Sequence, residues 1–140
     1  MMQTAKLECT VNAMANVLTD SQVELFRREN FLSPLNALDP DEVRYYRERL
    51  EAYEAEHGGA PLEAWQYRKL HVREPWAAEL VRHPAILDAI EDLMGHDILV
   101  FTSTFFIKAA RAEQITAWHQ DATYFGLQPY EHISAWIALS

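Results

Sequence analysis

Gly95 divides the sequence into two parts with different hydrophobic patterns, and this division constrains the fold more than any other feature. Before Gly95, apolar residues recur at the spacing of amphipathic helices. After it, from Ile98 to Lys108, β-branched and aromatic residues dominate without helical periodicity, which is typical of a buried strand. Helices first and strands afterwards predict an α+β fold, in which helices pack against a mainly antiparallel sheet.

Capping signals predict four helices before Gly95. The second has the clearest start, with Asp39 as N-cap, Pro40 at the first helical position and Glu42 at the third. Its apolar residues fall on one stripe, formed by Val43, Tyr46, Leu50 and Tyr53. The predicted bounds are a first helix between Thr19 and Asn30, a second from Asp39 to Gly58 and Gly59, and two short helices that begin at Pro75 and Pro84.

Strands are predicted mainly in the second part of the chain. They cover Phe31–Leu35, Ile98–Lys108, Gln114–Gln120 and His132–Leu139. Gly126 and Pro129 indicate a loop over Thr123–Glu131, between the last two strands. Residues 60–74 follow neither the helical nor the strand pattern.

Composition and charge narrow the class of protein. Hydrophobic residues make up 49% and charged residues 24% of the 140 residues, which is the balance of a folded chain. The formal net charge of −9, without a local cluster of Lys and Arg, argues against a nucleic-acid partner. We expect a loosely ordered leader over residues 1–17 and one domain over residues 18–140.

The first residues and the cysteine count indicate the compartment. Residues 1–17 contain no long apolar stretch and include Lys6 and Glu8, so neither a secretory signal nor a membrane anchor is predicted. Cys9 is the only cysteine, so it cannot form an internal disulfide, which fits a reducing compartment. We therefore expect a cytoplasmic protein without a membrane partner, and the oligomeric state stays open.

The pair His119 and Asp121 is the strongest candidate for chemistry. If residues 114–120 form a strand, alternation places both side chains on one face, where they can reach one ion. Imidazole and carboxylate are ligand types of the facial triad in non-haem iron(II) oxygenases, which leaves coordination positions open for co-substrate and oxygen. The spacing alone also fits a hydrogen-bonded pair without a metal.

The residues around this pair carry a family resemblance, and their order and spacing agree along the chain. They are Phe105-Phe106-Ile107-Lys108, then Trp118-His119-Gln120-Asp121-Ala122-Thr123-Tyr124-Phe125-Gly126-Leu127, and Ala135-Trp136-Ile137-Ala138-Leu139. Leu18-Thr19-Asp20-Ser21-Gln22 and Arg82-His83-Pro84-Ala85-Ile86-Leu87-Asp88 extend the match towards the N-terminus. Over about residues 18–140, the sequence resembles the phytanoyl-CoA dioxygenase family.

The resemblance implies a double-stranded β-helix, a jelly-roll or cupin-like barrel preceded by helices. It also implies an enzyme that uses Fe(II), O2 and 2-oxoglutarate to hydroxylate an unactivated carbon of a small-molecule substrate. Carried over position by position, His119 and Asp121 match two iron ligands, while Lys108 and Trp136 match positions that line the 2-oxoglutarate site. In related halogenases a small residue replaces the carboxylate so that chloride can bind iron, and Asp121 therefore favours hydroxylation.

Two further groups of the family are expected beyond Ser140. They are the second histidine ligand and the arginine that pairs with the distal carboxylate of 2-oxoglutarate. Residues 135–139 are in mid-strand by their pattern, with no turn after them. We therefore expect this sequence to be the N-terminal part of a single dioxygenase domain, truncated and inactive on its own.

Two other functions stay open. A non-catalytic interaction domain would use the acidic helix from Pro40 to His57 as a partner surface. Another His/Asp metalloenzyme, such as a hydrolase, would use the same metal pair but would not explain the flanking resemblance.

The substrate itself is not predicted. A coenzyme A ester would require several cations near the pocket, and the candidates for that role are Arg68, Lys69 and Arg73. His71 lies in the irregular stretch and is a candidate for the border of the pocket.

Overall fold

Helices make up the regular structure of the described chain. The structure is a computed structural model and describes residues 17–108, 111–113, 115–117, 119–129 and 131–140. Its elements are α1 (Asp20–Glu29), α2 (Pro40–Glu56), a 3₁₀ turn (Leu70–Val72), α3 (Pro75–Val81), α4 (Pro84–Met94) and α5 (Ala122–Phe125). Among the described residues, no helix has both the length and the apolar character needed to cross a bilayer.

The four helices predicted before Gly95 are confirmed, and local capping explains their starts. In α1, the Thr19 hydroxyl accepts a hydrogen bond from Gln22 N, while the Gln22 side chain accepts one from Thr19 N. In α2, the Asp39 carboxylate accepts from Glu42 N and the Glu42 carboxylate accepts from Asp39 N, each at 2.8 Å. These reciprocal bonds satisfy amides that have no partner inside the helix.

The chain before α1 is attached to α4. The backbone amides of Val17 and Leu18 donate to one carboxylate oxygen of Asp92, Oδ2, at 3.0 and 2.7 Å. Leu18 is also buried. Residue 17, the last of the predicted leader, is thus anchored, whereas residues 1–16, including Cys9, lie outside the described residues.

The hydrophobic core lies among α2, the 3₁₀ turn, α3 and α4. From the predicted stripe of α2, Tyr46, Leu50 and Tyr53 are buried, and Val43 is half-buried. Leu70 is fully buried at 0% exposure, and Trp76 of α3 is 2% exposed. Three partly buried residues from the second part of the chain pack against this core: Phe105, Ile137 and Leu139.

A buried polar pair connects α2 to the irregular stretch that follows it. The Tyr67 hydroxyl donates to Glu54 Oε1 at 2.6 Å and accepts from Leu62 N at 3.0 Å. Burial, and then the hydrogen bond to Glu54, raise the pKa of Tyr67, so this hydroxyl keeps its proton and remains a donor at neutral pH. Both residues are buried, and each has a hydrogen-bonding partner.

The described chain contains no regular strand, so the sheet of the predicted α+β fold is not formed there. This applies to the predicted strands at Phe31–Leu35, Ile98–Lys108 and His132–Leu139, and to the described residues of Gln114–Gln120, of which 114 and 118 lie outside the description. A strand requires backbone hydrogen bonds along a neighbour. A β-branched composition favours the extended backbone but cannot supply that neighbour.

Residues 103–105 pair instead with the stretch between α2 and α3. An antiparallel bridge joins Arg68 to Thr104. Beside it, Lys69 N donates to Ser103 O at 2.7 Å, and Phe105 N donates to Tyr67 O at 3.3 Å. These bonds place the second part of the chain on the helical core, next to the buried Tyr67.

Candidate metal centre

His119 and Asp121 lie where the backbone turns into α5. Asp121 is the N-cap residue and has helical backbone angles, φ −59° and ψ −36°. Tyr124 N donates to Asp121 O at 2.9 Å, which closes the turn. The predicted loop over Thr123–Glu131 therefore begins with a helical turn. The two side chains meet at the entry to this turn, and no regular strand is formed at the described residues around them.

The imidazole of His119 faces the carboxylate of Asp121. Its Nε2 lies 3.3 Å from Asp121 Oδ1. Its other nitrogen, Nδ1, lies 2.7 Å from the carbonyl oxygen of Ala117. Since a carbonyl can only accept, Nδ1 carries the hydrogen, and in the neutral ring Nε2 then presents a lone pair towards Asp121. This is the tautomer that a metal-binding histidine requires.

The carboxylate of Asp121 is held from its other side by Ser134. The Ser134 hydroxyl donates to Asp121 Oδ2 at 2.6 Å. One carboxylate oxygen is thus bound to Ser134, while Oδ1 points at His119. This contact also joins residues 131–140 to the turn that carries the candidate ligands.

The separation of the two donor atoms fits a shared divalent cation. Two ligands at about 2.1 Å from one ion, at a right angle to each other, are about 3.0 Å apart. The separation of 3.3 Å between Nε2 and Oδ1 is within a few tenths of an ångström of that value. The side chains are 35% and 32% exposed, so an ion and a co-substrate can approach from solvent.

The pair supplies two donors of the three that a facial triad needs. Within the described ranges, His, Cys, Asp and Glu side chains form no group of three that could hold a metal ion. Without a metal, the same two side chains form an ion pair when His119 is protonated. An exposed pair of this kind contributes about 0–1 kcal/mol, too little to account for the fold of this region.

Aromatic rings surround the turn. The Tyr124 ring meets His119 edge-on, with 6.3 Å between ring centroids. Phe125 packs against Phe101 at 4.9 Å and against His132 at 5.5 Å. These contacts bring residues 98–108, α5 and residues 131–140 to one place, although no regular strand connects them.

Trp136 and Lys108, which the resemblance assigns to the 2-oxoglutarate site, lie on segments close to this turn. The Trp136 ring stacks on Phe106, with 5.5 Å between centroids and 14° between planes. Trp136 is two residues after Ser134, which contacts Asp121. Lys108 is two residues after Phe106. Lys108 is exposed. Phe106 also lines a cavity of about 250 Å³, and Tyr67 lines the same cavity.

His71 and the three candidate cations lie near the helical core. His71 Nδ1 is 2.6 Å from Ser103 Oγ. Burial, and then the positive charges of Arg82 and Lys69, lower the pKa of His71, so the ring is neutral at pH 7.

Of the three candidate cations, two have contacts of their own. Arg73 donates to the carbonyl oxygens of Gln66 and Arg68, at 3.0 and 3.1 Å, which is a structural role. Lys69 Nζ lies 6.0 Å from the centroid of the Phe101 ring. Arg68 is exposed.

A larger depression lies on the helical side of the molecule. It has a volume of about 610 Å³ and is lined by Tyr46, Glu79, Arg82, His83 and neighbouring residues. His83 Nε2 pairs with Glu42 at 3.0 Å. The backbone amide of Asp39 and then His83 lower the pKa of Glu42. None of the residues predicted for the iron or 2-oxoglutarate sites lines this depression.

The sequence predicted a role for His119 and Asp121 but none for Ser134, which contacts Asp121. In the sequence, Ser134 stands out only as a single hydroxyl within the largely apolar run His132–Leu139. If this run is interpreted as a strand, the pattern gives the hydroxyl no role. Its partner Asp121 lies 13 residues away, and spacing within the sequence cannot show such a contact.

Comparison with known proteins identifies a family. The sequence model of the family described as phytanoyl-CoA dioxygenase matches residues 26–140, which include all four predicted site residues. Neither the curated proteins nor the solved structures contain a match to this chain.

Proposed function

This chain belongs to the phytanoyl-CoA dioxygenase family, and on that premise we propose that it forms part of an Fe(II)- and 2-oxoglutarate-dependent oxygenase that hydroxylates a carbon of a small-molecule substrate. The family indicates an oxygenase of this general type. Beyond this general type, we propose which residues hold the metal, which residues contact the co-substrate, and that the reaction is a hydroxylation. We propose that these residues belong to one dioxygenase domain with a cupin-type barrel.

The convergence of His119 Nε2 and Asp121 Oδ1 is the observation that carries this proposal. The Ala117 carbonyl fixes the tautomer of His119, and Ser134 fixes the carboxylate. Both donor atoms therefore lie 3.3 Å apart and are held from their far sides before any ion binds, which reduces the reorganisation that binding requires. We propose that a second histidine from outside the described residues completes the triad.

Bound iron, together with 2-oxoglutarate and O2, supplies the oxidising chemistry that converts a C–H bond to a C–OH bond. The contribution of the chain is to bind and orient. His119 and Asp121 would hold the ion, and a facial triad leaves coordination positions open for co-substrate and oxygen. Asp121 would bring negative charge that offsets part of the charge of the metal, in the place where a halogenase has a small residue.

Lys108 and Trp136 are proposed to contact 2-oxoglutarate. A lysine ammonium is suited to a carboxylate of the co-substrate, and the indole can wall the site on one side. The stacking of Trp136 on Phe106 limits the rotation of that ring. The exposed position of Lys108 leaves its ammonium available for an anion.

Anaerobic titration of the full-length protein with Fe(II) and 2-oxoglutarate tests the proposal. We expect a weak visible charge-transfer band in the unmodified protein. In Asp121→Ala we expect the band to disappear. Loss of a residue that only supports a metal ligand lowers activity roughly 10- to 100-fold, and loss of the ligand itself should lower turnover by more than that. Asp97→Ala, which removes an exposed carboxylate outside the site, is the matched control and should keep both.

Two results would contradict the proposal. Folded, unmodified protein without a band would reject the oxygenase and favour the interaction domain. Normal turnover in Asp121→Ala would reject Asp121 as a ligand while leaving the family assignment intact.

A further inference from the structure

Ser134 makes the contact that sets the orientation of the Asp121 carboxylate. We propose that Ser134 is a positioning residue, which holds Asp121 as a ligand through one oxygen only. This inference rests on the proposed function, because it gives Ser134 a role in metal binding. It adds an outer partner that neither the sequence pattern nor the family match assigns.

The geometry separates the two carboxylate oxygens by role. Ser134 Oγ donates to Oδ2 at 2.6 Å, which is in the short range of a hydrogen bond to an ionised acceptor. Oδ1 faces His119 Nε2 at 3.3 Å. Oδ2 is therefore directed towards Ser134, and Oδ1 is the oxygen that is placed to bind an ion shared with His119.

Loss of the hydroxyl would release the carboxylate. The terminal torsion of an aspartate is broad, so the group can rotate when nothing holds it. Rotation would move Oδ1 away from His119 or bring Oδ2 onto the ion as a second oxygen ligand. In the second case, Asp121 would occupy a position that the triad leaves open for the co-substrate.

Each candidate ligand is hydrogen-bonded to a group that orients it. Of these two groups, only the one beside Asp121 belongs to a side chain and can be removed by substitution. His119 is oriented by a backbone carbonyl, Ala117 O, which every side chain at position 117 would retain. Asp121 is oriented by a side chain. Ser134 is exposed, so water can replace part of its effect, and we expect the low end of the range, about 10-fold in metal affinity.

Binding of Mn(II) alone to the full-length protein, followed by the electron paramagnetic resonance signal of the free ion, measures this effect without turnover. We expect Ser134→Ala to raise the dissociation constant about 10-fold. Ser134→Thr keeps the hydroxyl and should stay within about 3-fold of the unmodified protein. Ser103→Ala removes a hydroxyl with an equally short contact, 2.6 Å to His71, and should leave the affinity unchanged.

A second variant keeps the test valid if Ser134→Ala does not fold. Ser134→Cys preserves the side-chain shape but is a weak donor, and it should show the same loss of affinity. Tight binding in folded Ser134→Ala or Ser134→Cys would overturn the role of Ser134 and leave the proposed function standing. An equal loss in folded Ser134→Thr would overturn it too. Failure of the unmodified protein to bind Mn(II), Fe(II) or 2-oxoglutarate would overturn both proposals.

Discussion

The helical region, residues 17–94, and the site region, residues 98–140, differ in how they bury apolar side chains. In the described chain, every buried hydrophobic residue lies between Leu18 and Ala89. In the site region, Leu99 and Ile115 are each 87% exposed, and Trp136 is 72% exposed. The described residues of the site region that pack against the core are only partly buried.

The groups that stabilise the fold and the residues proposed for chemistry therefore lie in different regions. The helical region contains the core, the reciprocal caps and the buried Glu54–Tyr67 pair. The site region contains all four residues predicted for iron and 2-oxoglutarate. Substitutions in the two regions should therefore have different consequences, and pairs of the same substitution can test this.

The tryptophans give the largest expected contrast. Trp76→Ala removes a buried ring from the core and should lower the free energy of unfolding by about 3–5 kcal/mol. Trp136→Ala removes an exposed ring that stacks on Phe106 and should cost less than about 1 kcal/mol. Urea denaturation followed by circular dichroism measures both values.

Similar losses of stability in the two tryptophan variants would contradict the proposed difference between the regions. A large loss for Trp136→Ala would mean that the site region is a cooperative part of the folded unit. Trp65→Ala, another mostly exposed tryptophan, is the control for the general effect of the substitution.

A pair of tyrosine variants sharpens the comparison at the level of one hydroxyl. Tyr67→Phe leaves the buried Glu54 carboxylate and Leu62 N without their partner, and it should cost about 1–3 kcal/mol. Tyr124→Phe removes the hydroxyl of an exposed tyrosine and should change stability by less than about 0.5 kcal/mol. Thermal unfolding of both variants is the measurement, and equal shifts would contradict the burial argument.

The smallest effect is a pH dependence at His71, where the two regions meet through Ser103. The pKa of His71 is lowered from 6.5 in the folded state by burial and by Arg82 and Lys69. Below pH 6.5 the unfolded chain binds a proton that the folded chain resists, so stability falls as pH decreases from 6.5. About one pH unit above 6.5 both states are neutral at this residue, and its contribution becomes constant.

His71→Gln should therefore flatten the stability profile between pH 7.5 and 5.5 relative to the unmodified protein. Denaturant midpoints at closely spaced pH values measure the profile. Glu42 has a lowered pKa, so its contribution to stability is nearly constant above about pH 5.5 and is lost only as pH falls through 4.5 and below. The chosen pH range therefore leaves the effect of Glu42 out. An unchanged slope in His71→Gln would show that His71 is not the group responsible.

The helical region could be predicted from the sequence because its signals are local. Thr19 with Gln22 and Asp39 with Glu42 specify helix starts within three residues. Strands depend on a partner elsewhere in the chain, and the pairing found for Ser103–Phe105 is with Tyr67–Lys69, a stretch with no regular pattern. The composition of residues 98–108 could not reveal that partner.

For the candidate site, the sequence predicted the donor pair but not the backbone that joins its residues. In the structure Asp121 has helical backbone angles at the start of α5, whereas a strand through both residues was predicted. The assignments of Lys108 and Trp136 depend on the family resemblance and stay predictions. Ser134 could not be predicted, because only the folded chain brings it to Asp121.

The position of the core within the sequence also bears on the order of events during synthesis. Among the described residues, the last buried core residue is Ala89, and Ser134 follows it by 45 residues. At roughly 5–20 residues per second, their addition takes about 2–9 s, whereas helices form in about a microsecond. We therefore expect a compact helical intermediate to be present on the ribosome before Ser134, the partner of Asp121, has been translated.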